Sequence, residues 1–203
     1  TVFWDFDGVL MASNEIRDIG FERVLEGYPD EDIEALMAFH QRNGGLSRYV
    51  KFRYFFEEVR GRSVTDDEID TWAARFSEVM LELLIDSDLL IEETLQYVRE
   101  WQWKKRMHVV SGSDQQELRH ICAELNIDQY FDSIHGSPTP KTEWVGTIIN
   151  QHGYDRNECI LIGDSINDYE AAVDNGIDFL GYGNENIKEY TTSEQDFMQE
   201  DKA

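Results

Sequence analysis

The chain has 203 residues, of which 41% are hydrophobic and 30% are charged. Its length allows a single domain or a domain with a sizeable insertion, and either can bury a hydrophobic core. The formal net charge of −24, from 18 basic and 42 acidic residues, argues against nucleic acid and anionic membranes as partners.

The chain begins with an apolar, β-favouring stretch that predicts a buried strand and leads into Asp5, Asp7 and Gly8. Side chains two positions apart on a strand point to the same side, so both carboxylates should face the same way. Like charges this close raise each other's proton affinity unless a cation lies between them. A strand that merely ends in a polar Asp-Gly turn is the alternative interpretation.

The next stretch has the apolar spacing and capping residues of helices, and it contains no convincing strand. A break at Gly27-Tyr28-Pro29 and a stop at Asn43-Gly44-Gly45 divide it, and Thr65 with Glu68 predicts a capping box. The predicted helices cover about 14–26, 30–41, 48–60 and 65–85. This pattern indicates a small helical module.

From residue 86 onward, predicted helices and strands alternate. The helices lie at about 92–103, 114–125, 142–152 and 166–175, and the strands at 107–110, 133–135, 159–162 and 178–182. Such alternation predicts an α/β fold with three layers, a parallel sheet covered by helices on both faces. We therefore assign 1–13 and 86–203 to a Rossmann-like core domain and 14–85 to an inserted helical cap. Residues 184–203 read as a polar, acidic tail.

Polar residues follow several of the predicted strands. In an open parallel sheet the carboxyl ends of the strands form one ligand-binding edge, and the residues expected there are Asp5, Asp7, Ser111, Lys141, Asp164 and Asp168. Four carboxylates with one lysine require a cation, and oxygen ligands favour Mg²⁺. A magnesium–carboxylate site suits a phosphoryl group, whose charge the metal neutralises.

The same residues form a series of motifs: Asp5-Phe6-Asp7-Gly8-Val9-Leu10, Ser111-Gly112-Ser113, Lys141 and Gly163-Asp164-Ser165-Ile166-Asn167-Asp168. In order and spacing this series resembles the four motifs of the haloacid dehalogenase superfamily. The helical insertion after the first motif resembles the C1-type cap of the phosphoglycolate phosphatase and β-phosphoglucomutase branch.

The resemblance implies a role for each matching residue. Asp5 would attack phosphorus and form an aspartyl-phosphate, and Asp7 would act as general acid and then general base. Asp164, Asp5 and the main-chain carbonyl of Asp7 would hold Mg²⁺, and Asp168 would support these ligands. The acid/base aspartate favours phosphoryl chemistry over dehalogenation.

The resemblance also implies binding residues. Ser111, Gly112 and Lys141 would hold the transferring phosphoryl group. Within the cap, Gly44-Gly45-Leu46-Ser47-Arg48 resembles a substrate-specificity loop, so the substrate-recognition candidates are Gly45, Ser47, Arg48 and Lys51. A helix stop, a capping serine and a solvated arginine would explain the same loop without a ligand.

One segment departs from the family pattern. Ala12-Ser13-Asn14 stands where family members commonly carry an acidic residue and a serine, which leaves substrate choice and cap closure open. The expected function is a Mg²⁺-dependent phosphatase that hydrolyses a small phosphomonoester. A sugar phosphomutase is the first alternative, and a non-catalytic binding or regulatory protein that kept the metal site is the second.

The two cysteines, Cys122 and Cys159, lie in apolar patterns and not in a CxxC pair. We expect reduced, buried thiols in a cytoplasmic protein. No apolar run approaches the length of a membrane span, and the N-terminus lacks the shape of a signal peptide. The expected partner is a small phosphorylated metabolite. The oligomeric state is open, with a monomer favoured.

Overall fold

A computed structural model describes residues 1–192. It contains a sheet of five parallel strands in the order β3-β2-β1-β4-β5. The strands are β1 Val2–Trp4, β2 Met107–Asp114, β3 Ser133–Ser137, β4 Ile160–Gly163 and β5 Asp178–Gly181. The predicted parallel α/β fold is confirmed.

The first strand lies at the centre of the sheet. In register, Trp4 pairs with Val109 of β2 on one side and with Ile162 of β4 on the other. The chain builds outward through β2 and β3 and then returns to place β4 on the opposite side of β1. This change of direction opens a crevice at the carboxyl ends of β1 and β4, where ligands of such sheets bind.

Helices cover both faces of the sheet. They are α5 Glu92–Trp101, α6 Gln115–Glu124, α7 Lys141–His152, α8 Ile166–Asn175 and the short α9 Glu185–Lys188. Because side chains alternate along β1, Trp4 packs in a cluster that includes residues of α5 and α6, whereas Phe3 packs in a second cluster with residues of α7 and α8. Each face of the sheet therefore has its own core.

Four helices lie between β1 and α5 in the sequence, in the stretch predicted as the cap. They are α1 Asn14–Val24, α2 Asp30–Arg42, α3 Arg48–Tyr54, which continues as a π-helical turn Phe55–Val59, and α4 Asp66–Leu84. The buried rings of Phe21, Phe52 and Phe76 pack together, with the centroids of Phe21 and Phe76 4.4 Å apart. The capping box of Thr65 and Glu68 is present, so this prediction is confirmed.

Several boundaries differ from the sequence prediction. Strand β2 continues to Asp114, so Ser111, Gly112 and Ser113 belong to the strand itself. Helix α9 lies in a stretch that we predicted as tail, and residues 193–203 of that tail lie outside the described part of the chain. Cys122 and Cys159 are free and buried, as expected. Among residues 1–192, no helix has the length and apolarity to cross a bilayer.

Candidate active site

Three carboxylates meet at the edge of the sheet where β1 and β4 end. Asp5 follows β1, Asp164 follows β4, and Asp168 lies in the first turn of α8. One side-chain oxygen from each lies within 4.8 Å of the others. The Asp5 residue is 4% exposed and Asp168 is fully buried, so their charges are largely removed from water.

Lys141, the first residue of α7, enters this group from the side. Its Nζ lies 2.8 Å from Asp5 Oδ1 and also contacts Asp168 Oδ1. Burial opposes the charged form of Lys141, but the carboxylates of Asp168 and Asp5 outweigh it and raise the pKa of the lysine. Lys141 is therefore a fixed cation beside Asp5.

The carboxylates retain excess negative charge despite this lysine. Burial, followed by the charge of Asp168, raises the pKa of Asp5 well above its usual range. The same two causes raise the pKa of Asp164 to about 6. A divalent cation would relieve this repulsion, and the oxygen-only donor set fits a hard ion such as Mg²⁺.

Hydrogen bonds distinguish Asp168 from the other two carboxylates. Its Oδ2 accepts from Ser165 N at 3.0 Å and from Ser165 Oγ at 2.6 Å, while Oδ1 contacts Lys141. Asp164 Oδ2 accepts only from Asn14 Nδ2 among the described residues, at 2.8 Å. This difference fits the predicted roles, in which Asp164 and Asp5 would hold the ion and Asp168 would support them.

Gly8 follows Asp7 at the turn out of the first motif. Its φ of +76° lies in the left-handed region, and a Cβ there would collide with the carboxylate of Asp164. Glycine is therefore required both for the turn and for the close approach of the chain to the predicted metal ligand.

Asp7 lies apart from the carboxylate cluster, within a set of hydrogen-bond donors. Arg17 Nε donates to Asp7 Oδ1 at 2.8 Å, Ser113 Oγ donates to Oδ2 at 2.6 Å, and Ser13 Oγ contacts Oδ1. Burial alone would raise the pKa of Asp7, but the Arg17 charge and these hydrogen bonds lower it to about 2. Asp7 is consequently ionised in this state.

Arg17 and Ser113 were missed by our sequence analysis. Arg17 lies one helical turn after Ser13 on α1, a spacing that places both side chains near the same carboxylate. That spacing was a usable signal. Ser113 carried a weaker one, since it follows Ser111 by two positions on β2 and therefore points to the same side of the strand.

The cap closes directly over the two predicted phosphate-binding residues of β2. Ser111 is 1% exposed, and its Oγ accepts from Ser113 N at 3.1 Å. Gly112 lies against the main chain of Gly45, and a Cβ at Gly112 would collide with the Gly45 carbonyl. Glycine at position 112 thus allows the cap loop to contact the carboxyl edge of the sheet.

Residues of the core and of the cap together line a cavity of about 360 Å³. Asp5, Asp7 and Asp164 line one part of it, and Lys51 of α3 lines the cap part. Lys51 Nζ donates to the Gly44 carbonyl at 2.9 Å. Burial lowers the pKa of Lys51 to about 7, even though the charge of Asp7 acts in the opposite direction.

The recognition candidates Ser47 and Arg48 have hydrogen-bond partners within the protein. Ser47 caps α3, its Oγ accepting from Val50 N at 3.4 Å. The Arg48 guanidinium donates to Ser77 Oγ at 2.7 Å and is ion-paired with Glu117. A recognition role for these residues stays a prediction. Glu117, a first-turn acid of α6, was also missed by our sequence analysis, because its position resembles an ordinary helix-dipole acid.

Solved structures of similar fold include several named as phosphatases. A CbbY variant from Rhodobacter sphaeroides in complex with xylulose-(1,5)bisphosphate matches with a TM-score of 0.73 at 13% identity, covering 96% of this chain and 91% of that one. A predicted phosphatase from Clostridium acetobutylicum matches at 0.71 and 16% identity, covering 93% and 89%. A predicted phosphoglycolate phosphatase from Haemophilus somnus matches at 0.65 and 17% identity, covering 89% and 83%.

At these identities the solved structures establish the fold alone. The chain has no significant sequence match among the curated proteins. The family model for haloacid dehalogenase-like hydrolases matches residues 2–182, a span that contains all the predicted catalytic and metal-binding residues. The protein belongs to the haloacid dehalogenase-like hydrolase family.

Proposed function

We propose that the protein is a Mg²⁺-dependent phosphatase that hydrolyses a small phosphomonoester through an aspartyl-phosphate on Asp5. The observation that carries this proposal is the pairing of Asp5 with Lys141 at 2.8 Å, at the wall of a cavity that Asp5 and Asp7 both line. A nucleophile, a fixed cation and a second acid are the groups that phosphoryl transfer through a covalent intermediate requires.

In the first step, a carboxylate oxygen of Asp5 attacks phosphorus and the bond to the leaving oxygen breaks. Lys141 and the main chain around Ser111 and Gly112 hold the phosphoryl oxygens as charge moves among them. Asp5, Asp164 and the Asp7 carbonyl would hold Mg²⁺, which would supply Lewis-acid stabilisation of the same charge. Asp168 holds Lys141 in place through their contact.

Asp7 serves both steps in this scheme. In the second step its carboxylate takes a proton from water as the water oxygen attacks phosphorus, and the bond from phosphorus to Asp5 breaks to release phosphate. The pKa of about 2 means that Asp7 is ionised before this proton transfer. The first step needs a proton on Asp7 for the leaving oxygen. The negative charge of a bound phosphomonoester beside Asp7 would raise the pKa of Asp7, so that it can carry this proton while Arg17 stays in contact with it.

The cavity limits the substrate. A volume of about 360 Å³ suits a short metabolite, and Lys51 Nζ lies in the cap part of the wall. We infer a phosphomonoester with a second anionic group, such as a phosphoglycolate-like or sugar-phosphate-like compound. Two solved structures of similar fold are named for such compounds, the CbbY complex with xylulose-(1,5)bisphosphate and the predicted phosphoglycolate phosphatase.

Two further expectations belong to this proposal. Free, buried thiols at Cys122 and Cys159 support a reducing, cytoplasmic compartment. The net charge of −24 supports a small metabolite as partner, with no role for nucleic acid or membrane.

The deciding experiment measures phosphate release from a panel of phosphorylated metabolites, with Mg²⁺ and with a chelator. Wild type should release phosphate only with the metal, and Asp5→Asn should fall below about 1% of that rate because the nucleophile is lost. Asp178→Asn, which changes an exposed strand residue, is the matched control and should retain full activity.

Each alternative has its own outcome in this assay. Release by Asp5→Asn at the wild-type rate would refute the nucleophile assignment. Turnover that appears only when a sugar bisphosphate is added would indicate a phosphomutase. A wild type inactive on every compound, with or without sugar phosphates, would favour a non-catalytic binding protein.

A further inference from the structure

Three charged side chains are buried together where the cap meets the core. Glu117 belongs to α6 of the core, whereas Arg17 and Arg48 belong to α1 and α3 of the cap. The side chain of Glu117 is fully buried, and those of Arg17 and Arg48 are 8% and 3% exposed. This group, which we call the Glu117 triad, joins two cap helices to one core helix.

The Glu117 carboxylate is fully used by the two guanidinium groups. Its Oε1 accepts from Arg17 Nη1 at 2.7 Å and from Arg48 Nη2 at 2.8 Å, and its Oε2 contacts Arg48 Nη1. Without the carboxylate, two buried guanidinium groups would lie side by side with only Asp7, which contacts Arg17, to balance their charges. Buried like charges without a counter-charge are strongly unfavourable.

The triad continues to the predicted acid/base residue. Arg17 Nε donates to Asp7 and Arg17 Nη1 donates to Glu117. Glu117 therefore fixes the orientation of the guanidinium group that contacts Asp7. Among residues 1–192, Arg17 Nη2 has no hydrogen-bond partner although it is buried, and Arg17 lines the cavity. The guanidinium is thus placed to meet both Asp7 and a bound substrate.

A second contact ties the same elements together. Tyr49 OH of α3 donates to Asp114 Oδ2 at 2.7 Å, and Asp114 Oδ1 accepts from Glu117 N at 3.0 Å. The cap therefore contacts the start of α6 at two neighbouring residues, Asp114 and Glu117.

We propose that Glu117 is a positioning residue that holds the cap closed and sets Arg17 on Asp7. This inference rests on the proposed phosphatase function for its kinetic readout, but the triad itself does not depend on that function. Glu117 contacts neither the predicted nucleophile nor the predicted metal ligands, and it acts through the two arginines.

The first test is Glu117→Gln, which keeps the shape and removes the charge. We expect kcat to fall about 10- to 100-fold, in the range of conformational coupling between sites, and KM to rise severalfold because less of the protein is in the closed state. Glu124→Gln, on the same helix but exposed, is the control and should match wild type. A Glu117→Gln enzyme with kcat and KM within twofold of wild type would overturn the proposal.

The second test adds Arg48→Gln to Glu117→Gln. This removes the surplus guanidinium, and the amide oxygen introduced at position 117 can still accept from Arg17. We expect the double variant to recover at least about threefold in kcat/KM over Glu117→Gln alone, a non-additive result that neighbouring charges produce. A double variant whose loss in kcat/KM equals the product of the Glu117→Gln and Arg48→Gln losses would show that the two residues act independently, which contradicts the proposal.

The third test does not depend on activity. Hydrogen exchange of the cap loop, residues 43–47, should be faster in Glu117→Gln than in wild type and unchanged in Glu124→Gln. If exchange of the loop is unchanged in Glu117→Gln, the proposal is overturned, whether or not the protein hydrolyses any compound. If exchange is faster in Glu117→Gln but wild type hydrolyses no compound, only the phosphatase function is refuted. If Glu117→Gln fails to fold, Glu117→Asp keeps the charge with a shorter reach and should show the same changes to a smaller degree.

Discussion

The two walls of the cavity carry opposite charge. The core wall has the carboxylates of Asp5 and Asp164, and the side chains of Asp168 and Lys141 are buried beside them. On the cap side, cations predominate, and Arg17 and Arg48 share the single carboxylate of Glu117, with Lys51 nearby. Several of the few basic residues of this acidic protein therefore lie together in the cap wall.

The difference shows how each wall handles buried charge. The core wall is left with excess negative charge, which raises the pKa of Asp5 and of Asp164 and prepares the site for a cation. The arginines of the cap wall are instead balanced by two core carboxylates, Glu117 and Asp7, whereas burial lowers the pKa of Lys51. The two walls meet where Arg17 contacts Asp7. Substitutions at this contact therefore test whether the two walls have different roles.

Asp7→Asn removes the carboxylate at this meeting point and should have a larger effect than any change in the cap wall. We expect kcat to fall about 10²- to 10⁴-fold, the range for losing acid–base catalysis. The measurement is the initial rate of phosphate release, with thermal melting to confirm folding. Ser113→Ala, which removes one donor to Asp7 but keeps the carboxylate, should lose much less.

An Asp7→Asn enzyme that retains more than about a tenth of wild-type kcat would assign the acid–base role elsewhere. Trapping of a phosphorylated protein by Asp7→Asn would sharpen the assignment, because hydrolysis of the aspartyl-phosphate needs the base.

Lys51→Met tests the cap wall alone. Methionine keeps an apolar side chain of similar length but removes the charge, so KM for a substrate with a second anionic group should rise about tenfold, as expected for one lost charge-assisted hydrogen bond. The rate on a simple aryl phosphate should stay the same. Lys188→Met, on an exposed part of α9, should change neither value.

The pH dependence of KM gives this prediction a second readout. With a pKa of about 7, Lys51 is charged below pH 7 and loses its proton above it, so wild-type KM for the doubly anionic substrate should rise as pH increases beyond 7. Lys51→Met should lose this rise. A KM that increases equally in both proteins would show that Lys51 does not contact the anion.

The core wall could be predicted from sequence because its residues have fixed places in a common pattern. Asp5, Lys141 and Asp164 follow strands or begin helices of an alternating α/β chain, and parallel strands place such positions on one edge. The helices between β1 and β2 could be predicted as well, from apolar spacing and from the capping box at Thr65.

The cap wall could not be predicted in the same way. The contacts of Glu117 with Arg17 and Arg48 span 100 and 69 residues, and no local pattern distinguishes Glu117 from an ordinary first-turn acid. Sequence identified Arg48 as basic and near the site, but not that its guanidinium is paired with a core carboxylate. Pairings across a domain boundary depend on how the cap packs, which one sequence does not encode locally.

The smallest predicted effect concerns His40 and tests how strongly the cap wall is shielded from solvent. The residue is 8% exposed, and its Nε2 lies 3.0 Å from Asp18 Oδ1. Burial, with the charges of Lys51 and Arg17, lowers the pKa of His40 to about 3. The imidazole is therefore neutral in the folded protein at pH values where the unfolded chain, with a pKa of about 6.5, takes up a proton.

Because the folded pKa is lowered, the stabilising contribution of neutral His40 is complete above pH 6.5 and is lost as pH falls toward 3. Between pH 6.5 and 5.5 the free energy of unfolding should drop by about 1 kcal/mol from this group. His40→Gln should flatten that decline in urea unfolding measured across the interval, whereas His120→Gln, which changes an exposed histidine of α6, should leave it unchanged. An equal decline in His40→Gln would mean that the imidazole of wild type is protonated in the folded protein, with Asp18 as its counter-charge. His40 would then add a further positive charge to the cap wall.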